Sequence, residues 1–287
     1  MIKYYENFHF AERKGFFRNV ILSMVAAFLF ILFAELIIDG AGSLFPDDIN
    51  DPMWVVGNLL TGILIILFTI LGARLLSKRN VVRLGFTKAN WLQNYGIGTI
   101  VGILMITLVF AVNFVTGAIS VTYVFSSTMS LQIFLMLIMF LFQGMSEEVL
   151  FRGYLLPELS AQIGKVPGII LSSVIFTVLH GMNPGITFLS LLNLFIFSVL
   201  VSIVFYRTGN LWVVGAIHTM WNFFQGVIYG TQVSGNMTQS ILMSHPVSHL
   251  NIINGGDFGF EGGLGTTVIY LITIAIFVLY PGKKNNK

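Results

Sequence analysis

Eight apolar stretches, each close to the length that crosses the hydrocarbon of a bilayer, set the fold class before any other feature does. About 20 residues of α-helix span roughly 30 Å. The segments run approximately from Phe16 to Ile38, Trp54 to Leu76, Tyr95 to Gly117, Leu131 to Phe151, Val166 to Gly181, Ile186 to Tyr206, Leu211 to Gly230 and Leu264 to Tyr280. In lipid, backbone polar groups must be satisfied within the protein, so such stretches fold as helices. Only 9% of the 287 residues are charged and 56% are hydrophobic, against roughly 25% charged in a soluble domain. The expected fold is an all-α, polytopic membrane helical bundle, a single integral membrane domain over residues 1–287. The first stretch exceeds a signal-peptide core and lacks a small-x-small site before Glu35 and Asp39, so it reads as a retained span.

Basic residues orient the bundle, because Lys and Arg are kept on the cytoplasmic side. With the N-terminus inside, the inner segments hold Lys3, Arg13, Lys14 and Arg18; Arg74, Lys78, Arg79, Arg83 and Lys88; Arg152 and Lys165; Arg207; and Lys283, Lys284 and Lys287. Together these are all 15 basic residues of the chain. The outer connections hold Asp39, Asp47, Asp48, Asp51, Asp257 and Glu261. Both termini are expected to be cytoplasmic, in a cell-membrane protein. The net charge of +3 then reflects contact with anionic lipid, and nucleic acid is not an expected partner. Cysteine is absent, which removes disulfides and thiolate metal sites. RLGFTKANW, residues 83–91, reads as an interfacial piece with Trp91 at headgroup level. The connection from Thr231 to Gly263, rich in Gly, Asn and Ser, reads as a mobile outer loop, with His245 and His249 solvated in it. No internal repeat is evident.

Three charges interrupt this pattern. GMSEEVLFRG, residues 144–153, puts Glu147, Glu148 and Arg152 at the end of the fourth stretch. An ionised side chain at mid-membrane costs about 2.5–3.5 kcal/mol on insertion scales, so it needs a partner or a cavity. Glu148 and Arg152 are four apart with the acid first, the favourable order for a helical ion pair. Glu147, rotated by about 100°, faces something else. One reading is a juxtamembrane cluster with Arg152 snorkelling and the acids wet. The other is a shared polar site. SSVIFTVLHG places His180 on the fifth helix with Phe176 one turn earlier, and VVGAIHTMWN places His218 and Asn222 on one face of the seventh. At 1.5 Å per residue His218 lies about 10 Å, Asn222 about 16 Å and His180 about 20 Å from the inner surface, while Glu147 lies nearer 6–10 Å. The four converge only if the fourth helix extends inward past Phe151 or the fifth is tilted; Gly181–Gly185, GMNPG, permits a short, tilted fifth helix.

A carboxylate and an imidazole facing each other across a wet pocket can activate water. Two more donors, His218 and the Asn222 amide, suit an oxyanion formed by attack on a peptide carbonyl. Glu147 with His180, and His218 with Asn222, form a hydrolase arrangement. Ser146 is a nucleophile in principle but lies in no nucleophile elbow. Zinc on two histidines and glutamate is the nearest competing chemistry, although no HExxH spacing occurs and Asn is a poor zinc ligand.

The same residues resemble a known pattern. SEEVLFR is similar to the EExxxR motif of the CAAX-protease and bacteriocin-processing (CPBP) family of intramembrane endopeptidases, FTVLH to its FxxxH motif and HTMWN to its HxxxN motif, in the family's order. The resemblance covers roughly residues 130–225. It implies an eight-helix, metal-free glutamic protease in which Glu147 and His180 activate water, His218 and Asn222 stabilise the oxyanion, and Glu148 and Arg152 support them. It also implies a membrane-associated peptide or protein substrate, with bacteriocin maturation or self-immunity as a setting. Some members act as scaffolds without catalysis, which is the alternative here. A transporter or channel is a third reading, suggested by the broken fifth helix.

Overall fold

The computed structural model describes residues 19–41, 44–46, 48–49 and 51–279. The terminal basic residues Lys3, Arg13, Lys14, Arg18, Lys283, Lys284 and Lys287, together with His9, Asp47 and Tyr280, lie outside them. Helices occupy all eight expected stretches: α1 Val20–Gly40, α2 Pro52–Leu76, α3 Trp91–Val115, α4 Ser130–Glu148, α5 Leu156–Ile163, α6 Lys165–Leu179, α7 Phe188–Thr208, α8 Leu211–Phe223, a short α9 Asn251–Asn254 and α10 Leu264–Leu279. The protein is an all-α polytopic membrane protein. Among the described residues, five helical runs are long and apolar enough to cross a bilayer, 20–40, 52–76, 91–115, 127–163 and 188–208. The fifth and eighth stretches give shorter helices of 15 and 16 residues.

Side-chain chemistry sets the helix ends. Asn19, Asp51 and Asn210 each accept a backbone N–H of the first turn of α1, α2 and α8, satisfying donors that have no intrahelical partner. Residues 83–91 join α2 to α3. The chain leads through the 3-10 turn Val81–Leu84 to Trp91, which is 48% exposed at the start of α3, and the Thr87 carbonyl accepts from Trp212 Nε1–H at 3.0 Å.

The fourth stretch does not stop at Phe151. It continues through a π-helical segment, Val149–Leu155, into α5 and ends at Ile163 before Gly164. Arg152 looks like a membrane boundary in the sequence, yet it is fully buried. Pro157, with no N–H to give, sits just after the wide turns, where a local π adjustment absorbs the missing bond. The consequence is depth. Glu147 now stands 16 residues before the end of the run at Ile163, about 24 Å at 1.5 Å per residue, far enough in to meet His180.

Between helices in lipid there is little hydrophobic drive, so close backbone approach through small residues matters more. α8 packs against both α3 and α4, and α2 packs on the far side of α4. On α3, Gly98 and Gly102 lie four apart against α8; a Cβ on Gly102 would stand 2.6 Å from the Ile217 carbonyl oxygen. On α4, a Cβ on Gly144 would stand 2.7 Å from the Thr219 nitrogen, and Thr219 Oγ1–H donates to the Phe140 carbonyl at 3.1 Å. Gly144 therefore brings the turn that carries Glu147 against the turn that carries His218.

The connection from Thr231 to Gly263 is built, not mobile. Its strand β2, Leu242–Pro246, pairs antiparallel with β1, Ile119–Tyr123, in the register Val121 opposite Ser244. Asn254 donates to the carbonyls of Ala118 and Val247 at 2.9 and 3.0 Å. The glycines that suggest looseness serve turns: Gly255 and Gly259 adopt left-handed φ values of +86° and +87°, which favour glycine. His245 and His249 are exposed, as expected, but His245 Nε2 lies 3.0 Å from Thr122 Oγ1 across the strand pair.

Candidate active site

The charged end of α4 supplies two carboxylates with different surroundings. Glu148 is fully buried. Its Oε1 accepts from Arg152 Nη1 at 3.1 Å and lies 2.8 Å from His218 Nδ1. Arg152 also donates from Nη2 to the Ser198 carbonyl at 3.0 Å and to Ser198 Oγ at 2.8 Å, while its guanidinium stands 5.1 Å from the Phe176 ring centroid. The i,i+4 pair expected from the sequence is thus present, and Glu148 extends it to α8. Because a carboxylate accepts, the Nδ1 of His218 carries a proton, and its Nε2 is turned away from Glu148.

Glu147 is the less buried of the two acids, with its side chain 21% exposed. Its Oε2 lies 4.0 Å from His180 Nε2 and 3.7 Å from His218 Nε2 and has no hydrogen-bond partner among the described residues. His180 caps the end of α6. Its Nδ1 is 2.8 Å from the Phe176 carbonyl, an unpaired helix-end acceptor; a carbonyl accepts, so Nδ1 carries the proton and Nε2 presents its lone pair. Phe176, expected one turn earlier, lies against the imidazole with ring centroids 4.5 Å apart. The rings of Phe197 and His218 meet edge to face at 5.0 Å and 76°.

Asn222 completes the group. Its Nδ2 donates to Gln143 Oε1 at 2.9 Å, and Gln143 Nε2 donates to Glu147 Oε1. All four side chains named from the sequence, Glu147, His180, His218 and Asn222, therefore meet, with Glu148, Arg152 and Phe176 packed around them. Ser146 is turned elsewhere, its Oγ–H bonded to the Gln143 carbonyl at 2.7 Å. Among the described residues no three His, Asp or Glu side chains form a metal-ligand set.

Two contributors escape the sequence reading. Ser198 on α7 offers no signal, being one serine among several in an apolar helix. Gln143 does offer one, since it sits four residues before Glu147 on the same face and is the last polar residue of LQIFLMLIMFLFQ. Gln143→Met, close in size and unable to donate or accept, is expected to leave the fold intact and lower turnover by roughly tenfold, the scale of losing a hydrogen bond to a charged group. The loss should shrink in an Asn222→Ala background, where one of the two bonds is already gone; independent additive losses would show that Gln143 does not link the pair.

With this geometry in place, the site can be compared with known proteins. The sequence profile described as type II CAAX prenyl endopeptidase Rce1-like matches residues 128–224. Residues 128–224 are similar to the Rce1-like family. The Rce1-like segment contains every residue of the cluster, from Gln143 to Asn222, and leaves α1 to α3 and the outer connection outside it. No curated protein matches the chain.

Proposed function

We propose that the protein is an intramembrane endopeptidase that hydrolyses a membrane-associated peptide or protein by metal-free, carboxylate-assisted attack of water, in a multi-pass protein of the cell membrane. The Rce1-like match supports a CAAX-type intramembrane protease at the level of the family. The observation that carries the mechanism is the facing of Glu147 Oε2 and the Nε2 of His180 at 4.0 Å. That separation is too long for a direct hydrogen bond and suits a water seated beside the two. Both atoms accept, so the water gives one proton toward each and keeps a lone pair for the scissile carbonyl carbon. As the C–O bond forms, one proton passes to Glu147; it is then delivered to the leaving amine as the C–N bond breaks.

The remaining side chains suit the oxyanion. Asn222 has one amide hydrogen committed to Gln143 and a second free to donate. His218 holds Glu148 through Nδ1, so donation to an oxyanion uses a proton on Nε2, with the imidazole doubly protonated between two carboxylates. Donors fixed before the reaction stabilise charge without reorganising. Glu148 and Arg152 act behind them, setting the His218 ring.

The test is cleavage of candidate membrane-bound peptides by the purified full chain in proteoliposomes. Wild type should cleave and Glu147→Gln should not, while both insert equally. EDTA should leave the rate unchanged; a loss restored by zinc would assign the site to a metal. Equal cleavage by wild type and Glu147→Gln would sink the reading, and retention of the cellular phenotype by that variant would favour a scaffold.

A further inference from the structure

The outer connection holds a buried carboxylate that the proposed chemistry does not use. Glu261 lies in a single 3-10 turn, Phe260–Gly262, and is 7% exposed. Its Oε1 accepts from Trp221 Nε1–H at 3.2 Å, and its Oε2 accepts from the backbone N–H and the Oγ–H of Ser234, both at 2.7 Å. The Ser234 carbonyl accepts from Asn183 Nδ2 at 3.0 Å. Trp221 directly precedes Asn222, and Asn183 follows His180 by three residues. One carboxylate thus touches the helix that carries one half of the site and, through Ser234, the helix break that follows the other half.

We infer that Glu261 is a positioning residue, a tether that holds the His180 end of α6 and the Asn222 turn of α8 in fixed relation from the outer side. Its effect on rate rests on the endopeptidase reading; the tether itself does not. Ser234 adopts a left-handed φ of +49°, a conformation that a non-glycine residue keeps only where its surroundings hold it, and the two bonds to Glu261 do so. The break is seated directly on the same connection: a Cβ on Gly185, whose φ is +70°, would stand 2.6 Å from the Asp257 carbonyl carbon. Asn193 of α7 fixes the turn that bears the carboxylate, donating to the carbonyls of Glu261 and Gly263 at 2.7 and 2.9 Å. On the other side, Trp221 is fully buried, with ring centroids 6.3 Å from Phe197, the ring that meets His218.

The chemistry explains why an acid stands here. Donors approach both oxygens, so a carboxylate satisfies them all, whereas a glutamine would turn an NH₂ against either Trp221 or Ser234. Glu261→Gln, nearly isosteric, is therefore expected to release the tether.

Hydrogen exchange of the full chain in nanodiscs reads the release. In Glu261→Gln the amides of residues 181–185, Pro184 excepted, and of 232–236 should exchange at least about tenfold faster, and kcat should fall about tenfold at unchanged KM, the scale of losing bonds to a buried charge. Trp221→Phe keeps the ring and removes only the donor; it should lower kcat likewise while exchange at 232–236 stays as in wild type. Unchanged exchange at 181–185 in Glu261→Gln overturns the tether, and faster exchange there with wild-type kcat overturns positioning. If wild type cleaves nothing while Glu261→Gln still frees residues 181–185, the tether stands and the endopeptidase reading falls.

Discussion

Arg152→Met is expected to destabilise the folded protein by about 3–5 kcal/mol, the usual consequence of leaving one member of a buried ion pair without its partner. The substitution strands Glu148, which is fully buried and would keep only His218 at 2.8 Å. It also removes both bonds to Ser198, loosening the π-helical segment from α7. Thermal unfolding in detergent measures the loss. The diagnostic comparison is Glu148→Gln with Arg152→Met: taking out both charges should recover a large part of the stability, because the cost lies in the uncompensated charge more than in the missing contact. A double variant no more stable than Arg152→Met would show that packing of the long side chain against Phe176, and not charge, is what Arg152 supplies. Activity should stay low in the double variant either way, since a neutral amide in place of the Glu148 carboxylate weakens the hold on His218.

The ease of reading this site from sequence follows from where its partners lie. Glu148 with Arg152, Phe176 with His180, and His218 with Asn222 each sit four residues apart, so helical geometry alone puts each pair on one face. Contacts between helices carry no such signature. Nothing in the sequence says that Gln143 bridges Glu147 and Asn222, or that Ser198 receives Arg152, because the first depends on the packing of α4 on α8 and the second on the reach of the π-helical segment to α7. The fourth helix misleads for a physical reason. A charge at the end of an apolar run ordinarily marks the water interface, and Arg152 marks instead a buried ion pair in the interior. That one difference makes Glu147 look too shallow and the convergence of the four side chains look difficult. The outer connection misleads in the opposite sense. Gly, Asn and Ser are common in loose loops, yet here glycine gives the left-handed turns, Asn254 and Ser234 hydrogen-bond neighbouring segments, and the segment is held down at both ends.

Glu147→Ala and His180→Ala should each lower the cleavage rate by about 100- to 10,000-fold, the range that general-base assistance contributes, and the double variant should be hardly worse than either alone. Groups that act on one water work as a unit, so removing the second after the first is lost takes away little more. Additive losses would mean that the two act on separate steps, and the 4.0 Å facing of their reacting atoms would then be coincidental. His218→Ala gives the contrast. It should also lower the rate, but its loss should add to that of His180→Ala in large part, since in the proposed reaction His218 serves the oxyanion and His180 the water. It should also cost stability, which His180→Ala should not: His218 is 4% exposed and holds Glu148, whereas the His180 side chain is 19% exposed and bonds only its own helix end. Two histidines facing one carboxylate are thus separable by experiment, one by its coupling to Glu147 and the other by its coupling to the buried pair behind it.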